Sequence, residues 1–413
     1  MLPRSCKDGV VHQRFVPRPT VKSHLAANPF SRLLVNNAFK VEDAIKRSRM
    51  HQAREHGQVA AVEAYVGYGS TEWVRVLGRV QMVPMAVRRA GRRRFPSLRF
   101  GKRRNERSVR GWRSFVRVAV PHSKVTVRVD GVDHEVEADR GGIVDCKLPA
   151  QLAPGWQEVE FISEDGESTM ARVFIIAPTQ RYGLISDVDD TVMVTSLPRP
   201  LLAAWNTFVL DEHARAAVPG MNVLFQRIVE QFGGDSTPVL YLSTGSWNVA
   251  PTLSRFLGRN LYPFGPLLLT DWGPTTKRLF RSGTEHKRKS LQRLAEEFPH
   301  IQWLLVGDDG QHDEPIYGEF AANYPDSVRA VAIRQLSNTE TVLAGGRASS
   351  SARWRSRLPV AWVNAPNGAG LTSALAELDI IAPDPHAADL VDLSKTLGDR
   401  RIARPKPPET GAE

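Results

Sequence analysis

Cysteine is nearly absent from this 413-residue chain, which has only Cys6 and Cys146. Two such residues make no disulfide framework, no thiolate metal cluster and no motif for a catalytic thiol. No apolar run approaches the roughly 20 residues that cross a membrane as a helix. The first residues, Met1 to Asp8, lack the apolar stretch of a secretory leader. Together these absences predict a reducing, cytoplasmic setting. Internal repeats are also missing.

Net charge outside one segment is absent as well. The chain carries +11, and the stretch Arg88 to Arg113 alone holds twelve Arg/Lys against one acid, Glu106. The remainder is balanced, at 43 basic and 43 acidic residues. The partner signal is therefore a local patch. With Phe95, Phe100 and Trp112 among the charges, that patch suits an anionic membrane surface. Nucleic acid is the less favoured polyanion, and a solvated loop is the alternative without a partner.

Composition is that of a globular protein, 42% apolar and 24% charged, with length for two to three domains. Residues 1 to about 36 read as irregular, and Asn37 to His56 as a polar helix. From Val59 to Ala177, period-two alternation recurs at Val74 to Val80, Phe115 to Val120 and Val125 to Val129. Turn signals such as Asp130-Gly131 divide these runs. This predicts a small antiparallel β domain of the sandwich type, with the basic segment as an inserted loop.

After Pro178, short apolar runs alternate with helical stretches. The runs are Leu184-Ile185, Val239 to Leu242, Leu267 to Leu269, Trp303 to Val306 and Ala330 to Ile333. The helical stretches include Met221 to Phe232, Val249 to Leu257, Lys287 to Phe298 and Leu371 to Leu378. Such alternation predicts a parallel α/β sheet, whose ligands sit at the carboxyl ends of the strands. The expected division is an arm at 1–58, the β domain at 59–178, the α/β domain at 179–380 and a tail at 381–413.

Four groups of polar residues fall at strand ends or helix starts. Asp187-Val188-Asp189-Asp190-Thr191 follows the first α/β strand. Two carboxylates so spaced can share a hard cation and divide the roles of nucleophile and acid. Ser243-Thr244-Gly245 follows the next strand, where a hydroxyl and backbone N–H groups can hold phosphate oxygens. His286-Lys287 opens a predicted helix, where a cation reinforces anion binding. Gly307-Asp308-Asp309-Gly310-Gln311-His312-Asp313 clusters carboxylates after a buried strand, as oxygen ligation of a hard cation requires.

In this order the motifs resemble those of the haloacid dehalogenase-like phosphatases. More narrowly, Gly183 to Thr191, Tyr241 to Gly245, His286-Lys287, Gly307 to Tyr317 and Ala332-Ile333-Arg334 are similar to the catalytic domain of the actin-patch-associated phosphatidate phosphatase family. The turn Gly67-Tyr68-Gly69 and Gly78-Arg79-Val80 resemble its bacterial members.

The resemblance implies a haloacid dehalogenase-like parallel sheet with helices on both faces. It also implies a Mg²⁺-dependent phosphatase acting on phosphatidate or a related lipid phosphate. Asp187 is then the nucleophile and Asp189 the acid/base. Asp187, the Asp189 carbonyl and Asp308 hold the metal, with Asp313 or Asp309 behind them. Ser243 and Lys287 hold the transferring phosphoryl group, and Thr191, Thr244, Gly245, Lys277 and Arg278 line the substrate site. Asp309 departs from the family, where a small hydroxyl residue is expected, and Asp190 has no assigned role. The apolar face of Pro198 to Leu210 (Leu201, Trp205, Phe208 and Val209) suits a cap or core packing. Two other readings are a phosphatase of a soluble sugar or nucleotide phosphate, and a non-enzymatic membrane or nucleic-acid binding module.

Overall fold

The computed structural model describes residues 47–84, 117–194, 216–270, 276–310, 312–343 and 359–383. The basic segment Arg88 to Arg113, the stretch Pro198 to Leu210 and the tail from 384 lie outside the described residues. Of the helix expected over Asn37 to His56, residues 47–55 are described and are helical (α1).

Seven strands follow: β1 (Gln58–Ser70), β2 (Trp73–Pro84), β3 (Lys124–Val129), β4 (Val132–Glu137), β5 (Ile143–Pro149), β6 (Gly155–Ser163) and β7 (Ser168–Ile176). Asp130 and Gly131, with φ of 48° and 76°, form the two-residue turn between β3 and β4. Both central residues of such a hairpin turn need positive φ, which Asp and Gly tolerate. Alternation along β3 turns Val125, Val127 and Val129 inward. They meet Val74, Val76 and Val80 of β2, Phe161 of β6 and Val173 of β7 in one core.

The expected sandwich is not found. All seven strands belong to one sheet, ordered β4-β3-β6-β7-β1-β2-β5, and its outermost strands β4 and β5 approach each other. A twisted sheet with one apolar face can bury that face by curling on itself, giving a near-barrel. Alternation is the same in either architecture. The sheet is also not wholly antiparallel, because β1 and β7 pair in parallel. Within the strand expected at Phe115 to Val120, the described residues make a single bridge, Ala119 to Gln81. Cys146 is buried in β5, and Cys6 lies outside the described residues.

The second sheet contains β8 (Tyr182–Asp187), β9 (Val239–Ser246), β10 (Leu267–Thr270), β11 (Gln302–Asp308), β12 (Val328–Arg334) and β13 (Ala361–Ala365). Their order is β10-β9-β8-β11-β12-β13, and every pairing is parallel. Strands buried on both faces need continuous apolar runs, which explains Trp303 to Val306 and Ala330 to Ile333. The connections carry α2 (Met221–Phe232), α3 (Ala250–Arg259), α4 (Thr276–Glu297), α5 (Asp313–Asn323) and α6 (Asn338–Leu343), and α7 (Gly368–Glu377) follows β13. The chain steps one way from β8 to β10, crosses back and steps the other way from β11 to β13. Right-handed crossovers then put α2 and α3 on one face, and α4 and α5 on the other. Winding reverses between β8 and β11, so the ligand crevice of such a sheet opens at their carboxyl ends.

The two sheets share apolar packing. Tyr65, Tyr68, Leu77, Ile143, Phe174 and Ile176, from the first sheet, join the core of the α/β unit. Tyr65 stacks on Trp247 with ring centroids 4.8 Å apart. Beside it, buried Arg75 pairs with Asp145 at 2.5 Å and with Glu297 of α4 at 3.2 Å.

Gly183, the second residue of β8, lies against the fully buried ring of Trp303. A Cβ there would lie 2.4 Å from that ring. Overpacking of this kind costs about 1–3 kcal/mol. Gly183→Ala should therefore lower the urea midpoint with an unchanged slope. A wild-type midpoint would show that the ring can move aside at no cost.

Candidate active site at the carboxyl ends of β8 and β11

Asp187 is the last residue of β8 and Asp308 the last of β11, and Val306 of β11 pairs with Ser186 of β8. Adjacent parallel strands thus deliver two carboxylates to one end of the sheet. Asp313, the first residue of α5, joins them, and one oxygen from each of the three lies within 4.8 Å of the others. Gly307 makes this approach possible. A Cβ at that position would meet Asp313 Oδ2 at 2.7 Å and the Tyr317 ring at 2.7 Å. Tyr317 anchors α5 from below, its hydroxyl donating to the Val306 carbonyl at 3.1 Å.

Lys287 is the cation of the cluster. Its Nζ donates to Asp187 Oδ1 at 2.6 Å and to Asp313 Oδ1 at 2.5 Å, and all three side chains are buried. The sequence placed Lys287 at a helix start. In the structure α4 begins at Thr276, so Lys287 sits in mid-helix and gains nothing from the helix terminus. It reaches the site because Gly283, on the same helical face, packs closely against Thr244 of β9.

Burial pushes the Asp187 carboxyl well above its ordinary range; Asp313 adds to this and Lys287 opposes it. Asp308 moves the same way, by burial and then by Asp313 and Asp187. Burial works against the Lys287 ammonium, but Asp187 and Asp313 outweigh it and hold the proton more tightly than usual. One cation among three convergent carboxylates leaves excess negative charge. That donor set, hard oxygens with charge to neutralise, fits a divalent cation.

Asp189 lies beyond the strand, half-buried. Ser243 donates its hydroxyl proton to Asp189 Oδ2 at 3.0 Å and accepts from the Gly245 N–H at 3.0 Å. This serine was expected after a strand, free to meet phosphoryl oxygens. β9 runs on to Ser246, so Ser243 lies within the strand, with its hydroxyl bonded to Asp189. Thr191 is fully buried, and its hydroxyl has no hydrogen-bond partner among the described residues. The Thr244 and Gly245 carbonyls both accept from the Thr270 hydroxyl, at 3.0 and 3.1 Å. Lys277 and Arg278 fall in the first turn of α4, and their side chains lie outside the described residues. Asp309 accepts from the Leu336 N–H at 2.8 Å, and its own N–H donates to the Arg334 carbonyl at 2.9 Å. Its carboxylate therefore clamps the chain after β12.

Sequence reasoning gave no role to Arg334, Glu340 or Tyr317. An arginine closing the apolar run Ala330 to Ile333 was the available signal, since a buried strand rarely ends in a charge without a partner.

Residues 182–335 match the family model described as phosphatidate phosphatase APP1, catalytic domain. Phosphatidate phosphatase APP1 of Saccharomyces cerevisiae is 25% identical over 158 residues, which are 38% of this chain and 26% of that protein. An uncharacterized protein of Schizosaccharomyces pombe is 26% identical over 154 residues, 37% of this chain and 25% of that protein. The chain thus aligns with about a quarter of the length of these relatives. Among solved structures, a carbohydrate acetylesterase from Xanthomonas citri aligns over 77% of this chain and 75% of its own, at 11% identity and a TM-score of 0.26. So low a score carries no argument about fold or chemistry.

Two outcomes follow from the buried charges. Lys287→Met leaves Asp187 and Asp313 facing each other without a cation. Breaking a buried pair costs about 3–5 kcal/mol, so urea unfolding in a chelator should show a much lower midpoint. An unchanged midpoint would mean that the carboxylates take up protons at little cost. His286, beside it, donates from Nε2 to the Leu268 carbonyl at 3.2 Å, and burial pushes its pKa down to about 4. The unfolded imidazole titrates near 6.5, so stability present above that pH is lost as pH falls toward 4. His286→Gln should flatten this part of the stability profile, and an equal slope in the variant would assign it to other groups.

Proposed function

We propose that this chain is a phosphoric monoester hydrolase that cleaves phosphatidate or a related lipid phosphate through an aspartyl-phosphate. The observation that carries this reading is the convergence of Asp187, Asp308 and Asp313, two of them paired with the Lys287 ammonium, at the switch point of a parallel sheet. The match of residues 182–335 to a phosphatidate phosphatase catalytic domain supports it, as does the haloacid dehalogenase-like order of the motifs. In this division of labour residues 179–380 hold the chemistry, and residues 59–178 buttress it.

Asp187, Asp308, Asp313 and the Asp189 carbonyl would hold Mg²⁺. When bound, that ion offsets the carboxylates' repulsion of an incoming phosphate and draws charge from its oxygens. The protein's own groups do the rest. Asp187 attacks phosphorus in line, and the bond from phosphorus to the leaving alkoxide breaks. Asp189, oriented by Ser243, gives that alkoxide its proton. It then takes a proton from water, which attacks the phosphorus of the acyl phosphate and frees Asp187 and inorganic phosphate. Lys287 steadies the nucleophile and lowers the negative potential at the point of attack. The basic segment Arg88 to Arg113 supports a peripheral cytoplasmic location at an anionic membrane, where a lipid phosphate is found.

Purified protein should release phosphate from phosphatidate in mixed micelles when Mg²⁺ is present and stop in a chelator. Asp187→Asn should lower the rate by at least about a thousandfold, as loss of a covalent nucleophile does. Equal activity in that variant would defeat the aspartyl-phosphate. A panel of sugar and nucleotide phosphates tests the substrate class, and faster turnover of those would move the reading to a soluble ester.

A further inference from the structure

Asp190 is the member of the opening motif with no assigned chemistry, and its backbone is the unusual one. Its φ is 56°, a left-handed conformation that an L side chain adopts at a cost. The chain around it closes on itself. The Asp190 N–H donates to the Met193 carbonyl at 2.8 Å, and the Val188 carbonyl accepts from Val192 at 3.1 Å and from Met193 at 3.3 Å. The carbonyl of Asp190 points outward from this turn, and Arg334 takes it, Nη1 donating at 2.6 Å.

Arg334 is placed for this from several sides. It is the last residue of β12 and pairs in register with Asp308. Its own carbonyl accepts from Asp309 N–H. Its Nη2 donates to Glu340 Oε1 at 2.6 Å, and the guanidinium is buried while Glu340 is partly exposed. Glu340 is in turn fixed by a capping box at the start of α6. Its Oε2 accepts from Ser337 N–H at 2.9 Å, and its N–H donates to Ser337 Oγ at 3.3 Å.

We infer that Arg334 is a positioning residue for the active site: by holding the Asp190 carbonyl it locks the left-handed turn that aims Asp189, and Glu340 locks Arg334. This rests on the phosphatase reading for its kinetic consequence. The geometry explains why a guanidinium is needed. It must bridge a carbonyl and a carboxylate with two donors in a fixed plane, which a single ammonium cannot do. It touches no reacting atom. Both peptide planes that meet at Asp190 are clamped, one by Met193 and one by Arg334. The Asp189–Asp190 peptide, with the Asp189 carbonyl, therefore has one orientation. Without the guanidinium the turn can relax toward negative φ, swinging that carbonyl and the Asp189 side chain away from Ser243.

The test uses the full chain, with p-nitrophenyl phosphate and phosphatidate as substrates. Arg334→Lys should lower kcat by about tenfold or more with KM within about twofold, because geometry rather than substrate affinity is lost. Glu340→Gln should lower it by less. In Arg334→Ala, millimolar guanidinium should restore part of kcat, and hydrogen exchange at the Asp190 amide should quicken in all three variants. A folded Arg334→Lys protein with wild-type kcat and wild-type exchange at Asp190 overturns the inference. If the Arg334 variants do not fold, Glu340→Gln decides, and wild-type kcat with unchanged exchange there overturns it equally. A wild-type protein that hydrolyses neither substrate defeats the phosphatase reading instead, and the exchange measurement then decides for Arg334 by itself.

Discussion

Three carboxylates and one ammonium, packed together at the end of a sheet, set the terms for everything around them. Attraction to Lys287 does not balance the mutual repulsion of Asp187, Asp308 and Asp313, and burial adds to the cost. A loose surface would let such groups separate into solvent. Here each is fixed to a rigid element: two end adjacent strands, one starts a helix and the lysine lies within a long helix. The unfavourable charge is held in place by the hydrophobic core beneath it, in which Leu184, Ile185 and Leu304 to Val306 are almost entirely buried. Stability is spent there to keep like charges together, as a site built for electrostatic work requires.

Around this centre the polar residues divide into those that carry charge and those that hold backbone. Ser243 steers Asp189 through a hydroxyl fixed by Gly245. Asp309 looked like extra negative charge for a metal, yet it binds the main chain of Leu336. Asp190 contributes a backbone angle, and Arg334 secures it. Adjacent residues of one acidic motif thus do different physical work, and only hydrogen-bond partners separate them.

The places where carboxylates converge were legible because a parallel sheet writes its strand ends plainly. Its strands are apolar on both faces, so the first carboxylate after each run marks a strand end. What was not legible depended on distant contacts or on ambiguous periodicity. The first turns of α4 are hard to read because Thr276 to Gly283 holds only Leu279 and Phe280 as large apolar residues, adjacent rather than at helical spacing, so Lys287 looks like a helix terminus. A near-barrel and a sandwich share one alternation, and the approach of β4 at one end of the sheet to β5 at the other cannot be read from it. β13 escaped notice because Ala361–Ala365 is short and contains Asn364. The bond from Arg334 to Asp190 joins residues 144 apart, a separation at which the sequence offers no register.

Tyr65 and Tyr68 belong to a strand of the first sheet, yet they lie in the core of the second unit. The family model matches residues 182–335, while the sheet it covers goes on to β13. The part of the chain that inheritance makes recognisable is therefore shorter than the part that cooperates in folding. Cutting the gene at the edges of the recognisable stretch would strip aromatic rings from the wall behind Trp247 and a strand from the sheet's far edge. The resulting fragment would keep every catalytic candidate and lose the surfaces that hold them still.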